Sequence, residues 1–576
     1  MSNSANHQRF NRVRWVGIVT VAISVIIGPT AQNPVDLVAR NEVATTSPKP
    51  PMGWNSDFAL DCHYELRDDD FTWQANQLAE RGFNAAGYKT FVFDCGWEAS
   101  SKDGTPGYLK RVFPNGPQEH AGWLKWKGFN MGLGTWGGMN LCPRLVWAGT
   151  IGNRPSDLPK YLKTLSDWGV SYLIHRPCDM ATPEILQDPK NANTLDDRYI
   201  KMQEAIHTAG VQDKLFYATG QWGASPLAQQ KRANSWRISD EYHVLWDTFI
   251  RNMNALVPFA HQTRPGAYND LGFLRFHTKE EGHGLTLDQR TTIFTFYAAA
   301  KSPLMISDSL ANIDHETGEM LKNQRVIKIN QDELGKSILF RRRYPDDMDI
   351  WSGPLKDGST VAVIINWSNA PGKKHINLDD MGFTSARIHD VRTGTDLGNK
   401  VNFFEQEIAG HGSLIVQLTE TKEAPKRDFQ RIPAAQAELI SPAHFRQVGE
   451  LKVATSIKAE GQGAVVWHDV PGSQDGHVLL SFDYINAELP SDDEDHAKLN
   501  FKRAAITIND DPHRKFQVHF PITGMTWSDV YPGYLVSLPL PNAKNKVRIE
   551  GLDGAAPDFV ALSVAIQPAP TTTKTN

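Results

Sequence analysis

The sequence predicts a (β/α)₈ barrel followed by two β-rich domains. Between residues 51 and 335, short apolar runs alternate with helix-like segments, which is the size and rhythm of such a barrel. Beyond residue 335 the pattern changes to short β-type runs separated by turn signals such as Thr393-Gly394. The length of 576 residues also exceeds what a single hydrophobic core supports. Together these observations indicate a multidomain protein with its barrel first.

The barrel, predicted over residues 50–335, is inferred from pairs of helices and strands. A helical pattern over 70–81 stops at Gly82, and the apolar strand 91–93 then ends at Asp94. Further strands are predicted at 171–174, 215–218 and 267–269, with helical runs between them. Chemistry in this fold lies at the carboxyl ends of the strands. The polar residues expected there are Asp57, Asp94, Arg176, Gln221 and Asp270.

Two β-rich domains are predicted after the barrel. The first is an antiparallel β-sandwich over 336–419, and the charged segment 420–431, which contains Pro425, is predicted to be a linker. The second, over 432–570, is predicted to be jelly-roll-like and is a candidate carbohydrate-binding module. A purely packing role is an equal alternative.

In the second β-rich domain, any sugar-stacking platform is expected at Trp467, Trp527 or Asp529, although core roles are the simpler expectation for these residues.

The pattern of the N-terminal segment predicts that the protein is exported. Arg9, Arg12 and Arg14 precede the apolar run 16–28, which is too short to span a bilayer and typical of a signal peptide. We therefore expect a signal peptide over 1–31, a leader over 32–49, and a secreted, extracellular protein with no membrane association after cleavage. A signal anchor is the alternative.

Charge and cysteine content limit the partners and metal sites that the sequence predicts. A net charge of −5 and a pI near 6.4 give no reason to expect nucleic acid as a partner. The four cysteines fit two disulfides in a secreted chain, and four cysteines allow three pairings. Because they show no CxxC or Cys/His clustering, a zinc site is not expected.

Several motifs in one order resemble the family 27 glycoside hydrolases, which are α-galactosidases and α-N-acetylgalactosaminidases. Residues 51–56, Pro-Met-Gly-Trp-Asn-Ser, are similar to the start of that family's barrel. Residues 301–304, Lys-Ser-Pro-Leu, and 330–335, Asn-Gln-Asp-Glu-Leu-Gly, resemble two later segments. The resemblance covers about residues 51–418. It implies hydrolysis of terminal α-galactosides without a metal or organic cofactor, and the disulfides Cys62–Cys95 and Cys142–Cys178.

The resemblance also assigns the site residues. Arg176 occupies the position of the nucleophilic Asp, and Glu241 that of the acid/base Asp, with Asp240 beside it. Asp94 is one of two adjacent Asp residues that hold galactose hydroxyls in the family, and Cys95 replaces the other. The remaining substrate-binding positions are Asp57, Trp136, Gln221, Arg237 and Asp270.

The substitution at Arg176 leaves three functions open. A guanidinium stays protonated and has no nucleophilic lone pair, whereas retaining and inverting glycosidases both require two carboxyl groups. The chain is therefore an α-galactosidase-type hydrolase with a relocated second carboxylate, for which Asp57, Asp94 and Asp179 are candidates, or a catalytically silent carbohydrate-binding protein. A third alternative is a hydrolase shifted to another α-glycoside or an acidic sugar, whose carboxylate Arg176 would bind. The substrate and the oligomeric state do not follow from the sequence.

Overall fold

The computed structural model describes most of the chain after the predicted leader, within one compact unit over 39–576. The described residues are 49–61, 65–102, 104–136, 158–176, 189–220, 229–239, 244–277, 284–459, 461–473, 476–488, 501–524 and 526–566. The predicted signal peptide and nearly all of the leader lie outside them. None of the helices in these ranges combines the length and apolar character of a membrane span.

Eight parallel strands form the first sheet, and each of the first six is hydrogen-bonded to the next one in sequence. In chain order they are β1 (Met52–Asn55), β2 (Thr90–Phe93), β3 (Asn130–Trp136), β4 (Val170–Arg176), β5 (Phe216–Thr219), β6 (Ser235–Arg237), β7 (Tyr268–Asp270) and β8 (Leu304–Ile306). Strand β8 pairs with β1, and Leu274, four residues after β7, forms a parallel bridge with Ile306 of β8. The predicted parallel βα arrangement is confirmed.

Helices alternate with these strands along the chain. Apolar residues recur on one face of a helix, and that face packs on the sheet. The helices, in chain order, are α1 (Ser56–Leu60), α2 (Asp68–Glu80), α3 (Phe83–Ala86), α4 (Pro117–Trp126), α5 (Leu158–Asp167), α6 (Pro189–Thr208), α7 (Trp246–Leu256), α8 (Leu287–Ala299), α9 (His315–Leu321) and α10 (Gln324–Asn330). In α5, for example, Leu158, Tyr161, Leu162 and Leu165 are all buried, the spacing of a helix packed on a sheet. A short hairpin, Glu98–Lys102 and Thr105–Tyr108, follows β2.

The chain after the parallel sheet is built from antiparallel strands, as predicted. The first group is β9 (Leu339–Tyr344), β10 (Met348–Pro354), β11 (Thr360–Asn366), β12 (Gly372–Asn377), β13 (Phe383–Asp390), β14 (Asp396–Val401), β15 (Phe403–Ile408) and β16 (Ser413–Glu423). Strand β16 continues past residue 419, and the next strand begins at Phe429, so only residues 424–428 of the predicted linker connect the two strands.

The C-terminal strands form two layers. They are β17 (Phe429–Pro433), β18 (Glu438–Ile440), β19 (His444–Val448), β20 (Leu451–Thr455), β21 (Ala464–Pro471), β22 (His477–Ile485), β23 (Phe501–Ile508), β24 (Lys515–Pro521), β25 (Tyr531–Pro539), β26 (Lys544–Gly551) and β27 (Asp558–Ala565). Five of them, in the order β18-β21-β26-β23-β24, form a separate sheet. Edge-on ring contacts from Trp467 and Phe520 of that sheet to Phe559 of β27 join the layers.

The two β-rich parts are joined by a buried arginine that the sequence pattern did not indicate. Strand β9 pairs in parallel with β25 at Arg343 and Val536, so both parts contribute to one 14-stranded sheet. Arg343 Nε and Nη2 donate to the two oxygens of Asp349 at 2.8 and 2.5 Å, and Nη1 donates to the His519 carbonyl at 2.9 Å. Because this guanidinium is buried and charged, it depends on these acceptors.

Candidate active site

The carboxyl ends of β1, β2 and β4 place three charged side chains together. Arg176 is the last residue of β4, Asp94 follows β2 directly, and Asp57 is the second residue of α1, immediately after β1. Parallel strands bring their carboxyl ends to one edge of the sheet, which is where the prediction placed all three. We call Asp57, Asp94 and Arg176 the ion triad.

Arg176 contacts both carboxylates of the ion triad. Its Nη1 donates to Asp94 Oδ1 at 2.5 Å, and its Nη2 lies 3.2 Å from Asp57 Oδ2. The side chains of Arg176 and Asp94 are 3% and 1% exposed, while that of Asp57 is 12% exposed. An ion pair withdrawn this far from water requires its counter-charges, because an isolated buried charge is strongly unfavourable.

Asp94 is further held by the residues that end β1. Asn55 Nδ2 donates to Asp94 Oδ2 at 2.6 Å, and the Asp94 amide donates to Ser56 Oγ at 2.9 Å. Asn55 also caps α1, because its Oδ1 accepts from the Asp57 amide at 2.8 Å. Both carboxylate oxygens of Asp94 therefore accept hydrogen bonds from protein donors, one charged and one an amide.

A second ion pair lies at the ends of β6 and β7. Arg237 Nε donates to Asp270 Oδ2 at 3.1 Å, and the Gly272 amide donates to Asp270 Oδ1 at 2.8 Å. The ring of Phe273, which is buried, lies 4.9 Å from Arg237 Cζ and 5.6 Å from Arg176 Cζ. Phe273 thus separates the two guanidinium groups, with an attractive cation–π contact to each.

Tyr172 lies in the electric field of both ion pairs. Burial, assisted by the negative charges of Asp270 and Asp94, raises the pKa of Tyr172 above its usual range, although Arg237 and Arg176 oppose the shift. Its hydroxyl therefore stays protonated at neutral pH and cannot act as an anionic nucleophile in place of a carboxylate.

Two glycines make room for the ion triad. A Cβ on Gly134 of β3 would stand 2.1 Å from the Asp94 carbonyl oxygen, and one on Gly220 would stand 2.6 Å from Ile174 and 3.0 Å from Arg176 Cγ. Contacts below 3 Å force the backbone apart. A residue larger than glycine at position 134 is therefore incompatible with the present position of Asp94.

The structure describes some of the other predicted site residues, and the rest lie outside the described ranges. Arg237 and Asp270 end β6 and β7, as expected, and Cys95 is buried and disulfide-bonded. Trp136 ends β3, opposite Arg176. Gln221, Asp240, Glu241 and Asp179 lie outside the described residues, as do Cys62, Cys142 and Cys178, so the pairings Cys62–Cys95 and Cys142–Cys178 stay predictions.

Sequence reasoning missed Asn55 and Phe273 as members of this site. Asn55 lies within the motif at residues 51–56, and the resemblance assigned it no role. Phe273 lies three residues past the end of β7, where no apolar periodicity marks it. Among the described residues, no group of three or more His, Cys, Asp or Glu side chains is placed to hold a metal ion.

Two family models match the chain in the order of its domains. The model described as "Alpha galactosidase A" matches residues 49–332, and that described as "Alpha galactosidase C-terminal beta sandwich domain" matches residues 345–418. The second match agrees with the antiparallel strands found there.

Curated relatives and solved structures agree with these models. The probable α-galactosidase D of Aspergillus niger is 27% identical over 513 residues, 83% of this chain and 72% of that protein. The probable α-galactosidase D of Aspergillus fumigatus is 30% identical over 399 residues, 65% of this chain, and the chain spans only 58% of that relative's length.

The crystal structure of α-galactosidase I from Mortierella vinacea has a TM-score of 0.57 at 22% identity, covering 67% of this chain and 100% of that one. The Saccharomyces cerevisiae α-galactosidase solved with raffinose has a TM-score of 0.56 at 20% identity, covering 65% and 98%. At these identities the two structures support the shared fold alone. The family models and the relatives together place this chain in the α-galactosidase family of glycoside hydrolases.

Proposed function

We propose that this chain is a carbohydrate-binding member of the α-galactosidase family that does not perform the family's retaining hydrolysis. The observation that carries the proposal is the ion triad, in which the residue at the nucleophile position is a buried guanidinium paired with two carboxylates.

The chemistry of the ion triad supports the proposal that the protein does not catalyse the family's hydrolysis. A retaining glycosidase needs a carboxylate about 5–5.5 Å from its acid/base group to attack the anomeric carbon. Arg176 offers no lone pair for that attack. Asp94 cannot replace it without giving up its bonds to Arg176 Nη1 and Asn55 Nδ2. Loss of a nucleophile costs several orders of magnitude in rate.

The charges near the site favour a neutral sugar over an acidic one. Arg176 and Arg237 are both matched by Asp94 and Asp270, and Asp57 adds a further negative charge. Among the described residues named here, even with Arg275, which lies over the Phe58 ring of α1 at 4.3 Å, the positive groups do not outnumber the negative ones. A bound uronate would therefore have to displace an existing carboxylate from its guanidinium.

The test is hydrolysis of nitrophenyl α-galactoside by purified wild type, Glu241→Gln, Arg176→Asp and Arg176→Lys. We expect no turnover from the wild type or from Arg176→Lys, which keeps the positive charge without a nucleophile. Turnover only in Arg176→Asp would show that the scaffold still holds the sugar.

Wild-type turnover that Glu241→Gln abolishes would overturn the proposal and establish a hydrolase with a relocated second carboxylate. In that case the anomeric configuration of the first product distinguishes the candidates, since a water-mediated reaction based on Asp57 inverts it.

We further propose that the protein is secreted. The basic and apolar N-terminal segments and the disulfide at Cys95 support this proposal. N-terminal sequencing of protein recovered from culture medium tests it, and an intact N-terminus on a cell-retained protein would contradict it.

A further inference from the structure

Trp527 differs from Trp467, the other tryptophan of the C-terminal domain. Trp527 is 42% exposed, whereas Trp467 of β21 is 1% exposed and packs between the two layers. Among the described residues, the exposed tryptophans are Trp73 on helix α2, Trp126 on helix α4 and Trp527 on a turn between strands of the C-terminal domain. Trp527 belongs to no part of the ion triad.

The turn that carries Trp527 is held by hydrogen bonds on both sides. The Thr526 amide donates to Asp529 Oδ2 at 2.8 Å, and the Asp529 amide donates to the Thr526 carbonyl at 3.0 Å. Arg446 Nη2 donates to the Trp527 carbonyl at 2.7 Å while its Nε donates to Asp558 at 2.7 Å. A side chain on a fixed backbone loses less conformational freedom when it binds.

One face of the indole is covered from within the domain. Lys502 Nζ lies 5.6 Å from the centre of the Trp527 ring, within the range of a cation–π contact. The Lys502 side chain is only 9% exposed, donates to the Ala555 carbonyl at 3.1 Å and pairs with Glu488. Both contacts fix the lysine ammonium near the ring, while Trp527 stays 42% exposed.

Charged side chains lie near Trp527. Glu488, whose side chain is 60% exposed, pairs with Lys502, and Arg446, whose side chain is 27% exposed, donates to the Trp527 carbonyl. A protein-binding hot spot is normally set within a larger, fully desolvated patch. An exposed indole beside carboxylate, guanidinium and ammonium groups instead matches a pyranose ring, whose C–H face is apolar and whose hydroxyls donate and accept hydrogen bonds.

We propose that Trp527 is the stacking platform of a polysaccharide-binding site on the C-terminal domain, with Glu488 and Arg446 as hydroxyl partners. The ligand class is a neutral polymer of pyranose units. This site is separate from the ion triad, and the inference deepens the proposed carbohydrate-binding function by locating a contact for it.

The experiment is native affinity electrophoresis of the full chain through gels with and without soluble galactomannan. We expect the wild type to be retarded by the polysaccharide and Trp527→Ala to bind about tenfold more weakly, because the stacking contact is lost. Trp126→Ala is the matched control, since it removes a more exposed indole, 76% exposed, from helix α4; its retardation should equal that of the wild type. Equal thermal unfolding midpoints for the three proteins exclude misfolding.

Three results would overturn the inference: no retardation of the wild type by galactomannan, equal retardation of Trp527→Ala and wild type, or an equal loss in Trp126→Ala. A Trp527-dependent change in the sedimentation coefficient without polysaccharide would also overturn it, by assigning the indole to self-association. None of these results depends on hydrolysis, so failure here is distinguishable from failure of the proposed silence of the ion triad.

Discussion

Replacing Arg176 by Met tests whether the ion triad stabilises the fold. Met keeps a long unbranched stem and removes only the charged head. The substitution removes the guanidinium from Asp94, which is 1% exposed and keeps the donor Asn55 Nδ2, and from Asp57, 3.2 Å away.

The expected loss follows from that burial. Removing one partner of a buried pair strands the other charge and costs about 3–5 kcal/mol of unfolding free energy. For a domain of this size each kcal/mol lowers the unfolding midpoint by roughly 2 °C. We therefore expect the thermal midpoint of Arg176→Met to fall by about 6–10 °C at pH 7. The loss should shrink in acid, where the stranded carboxylates become protonated.

The assay is thermal unfolding followed by tryptophan fluorescence, with two comparison variants. Arg387→Met removes a guanidinium 2.6 Å from Asp396 on the surface, where both side chains are about 40% exposed, and should leave the midpoint unchanged. Adding Asp94→Asn to Arg176→Met removes the stranded charge and should recover part of the loss. A midpoint for Arg176→Met equal to that of Arg387→Met, or no recovery in the double variant, would refute the reasoning.

Three further predictions concern the same edge of the sheet. Arg176→Asp combined with Asp57→Phe should show more galactosidase turnover than Arg176→Asp alone. In the single variant the new carboxyl lies beside Asp57 and Asp94 without a cation, and this repulsion between like charges keeps the new carboxyl protonated. Burial raises the pKa of Glu98 to about 8 in the folded protein, above its pKa in the unfolded chain. The contribution of Glu98 to stability is therefore complete in acid and is lost as the pH rises through about 8. Between pH 5 and 8.5 the unfolding midpoint of Glu98→Gln should fall less than that of the wild type. Gly134→Ala should lower the midpoint by several degrees, because its Cβ would overlap a carbonyl oxygen at 2.1 Å.

Each of these has a contrary outcome. Equal turnover of the single and double aspartate variants would show that position 57 does not control the new carboxyl. Parallel pH curves for wild type and Glu98→Gln would remove Glu98 from the pH dependence. Gly122→Ala is the control for the glycine: it lies in α4 with open space around its Cβ position, so its midpoint should stay level or rise, and an equal fall in both variants would contradict the steric argument.

The sequence alone determined the domain order, the parallel strands and the identity of the residues at their ends. Alternating apolar runs with polar stops located β2, β4, β5 and β7 to within one or two residues, because strand burial and strand ends leave local marks in the chain. The assignment of Arg176 to the nucleophile position also came from the sequence, because it needs only a motif in register, and it stays a prediction.

The tertiary structure decided what those residues do to one another. Arg176 and Asp94 are 82 positions apart, and no local pattern states that the guanidinium reaches both Asp94 and Asp57. The same holds for Arg343, which meets acceptors from two β-rich parts, and for Trp467 and Trp527, identical side chains of which one is buried and one exposed. Periodicity fixes which face of an element a side chain occupies, whereas contacts between elements depend on how the chain packs, and those contacts bring Arg176 into an ion pair with Asp94.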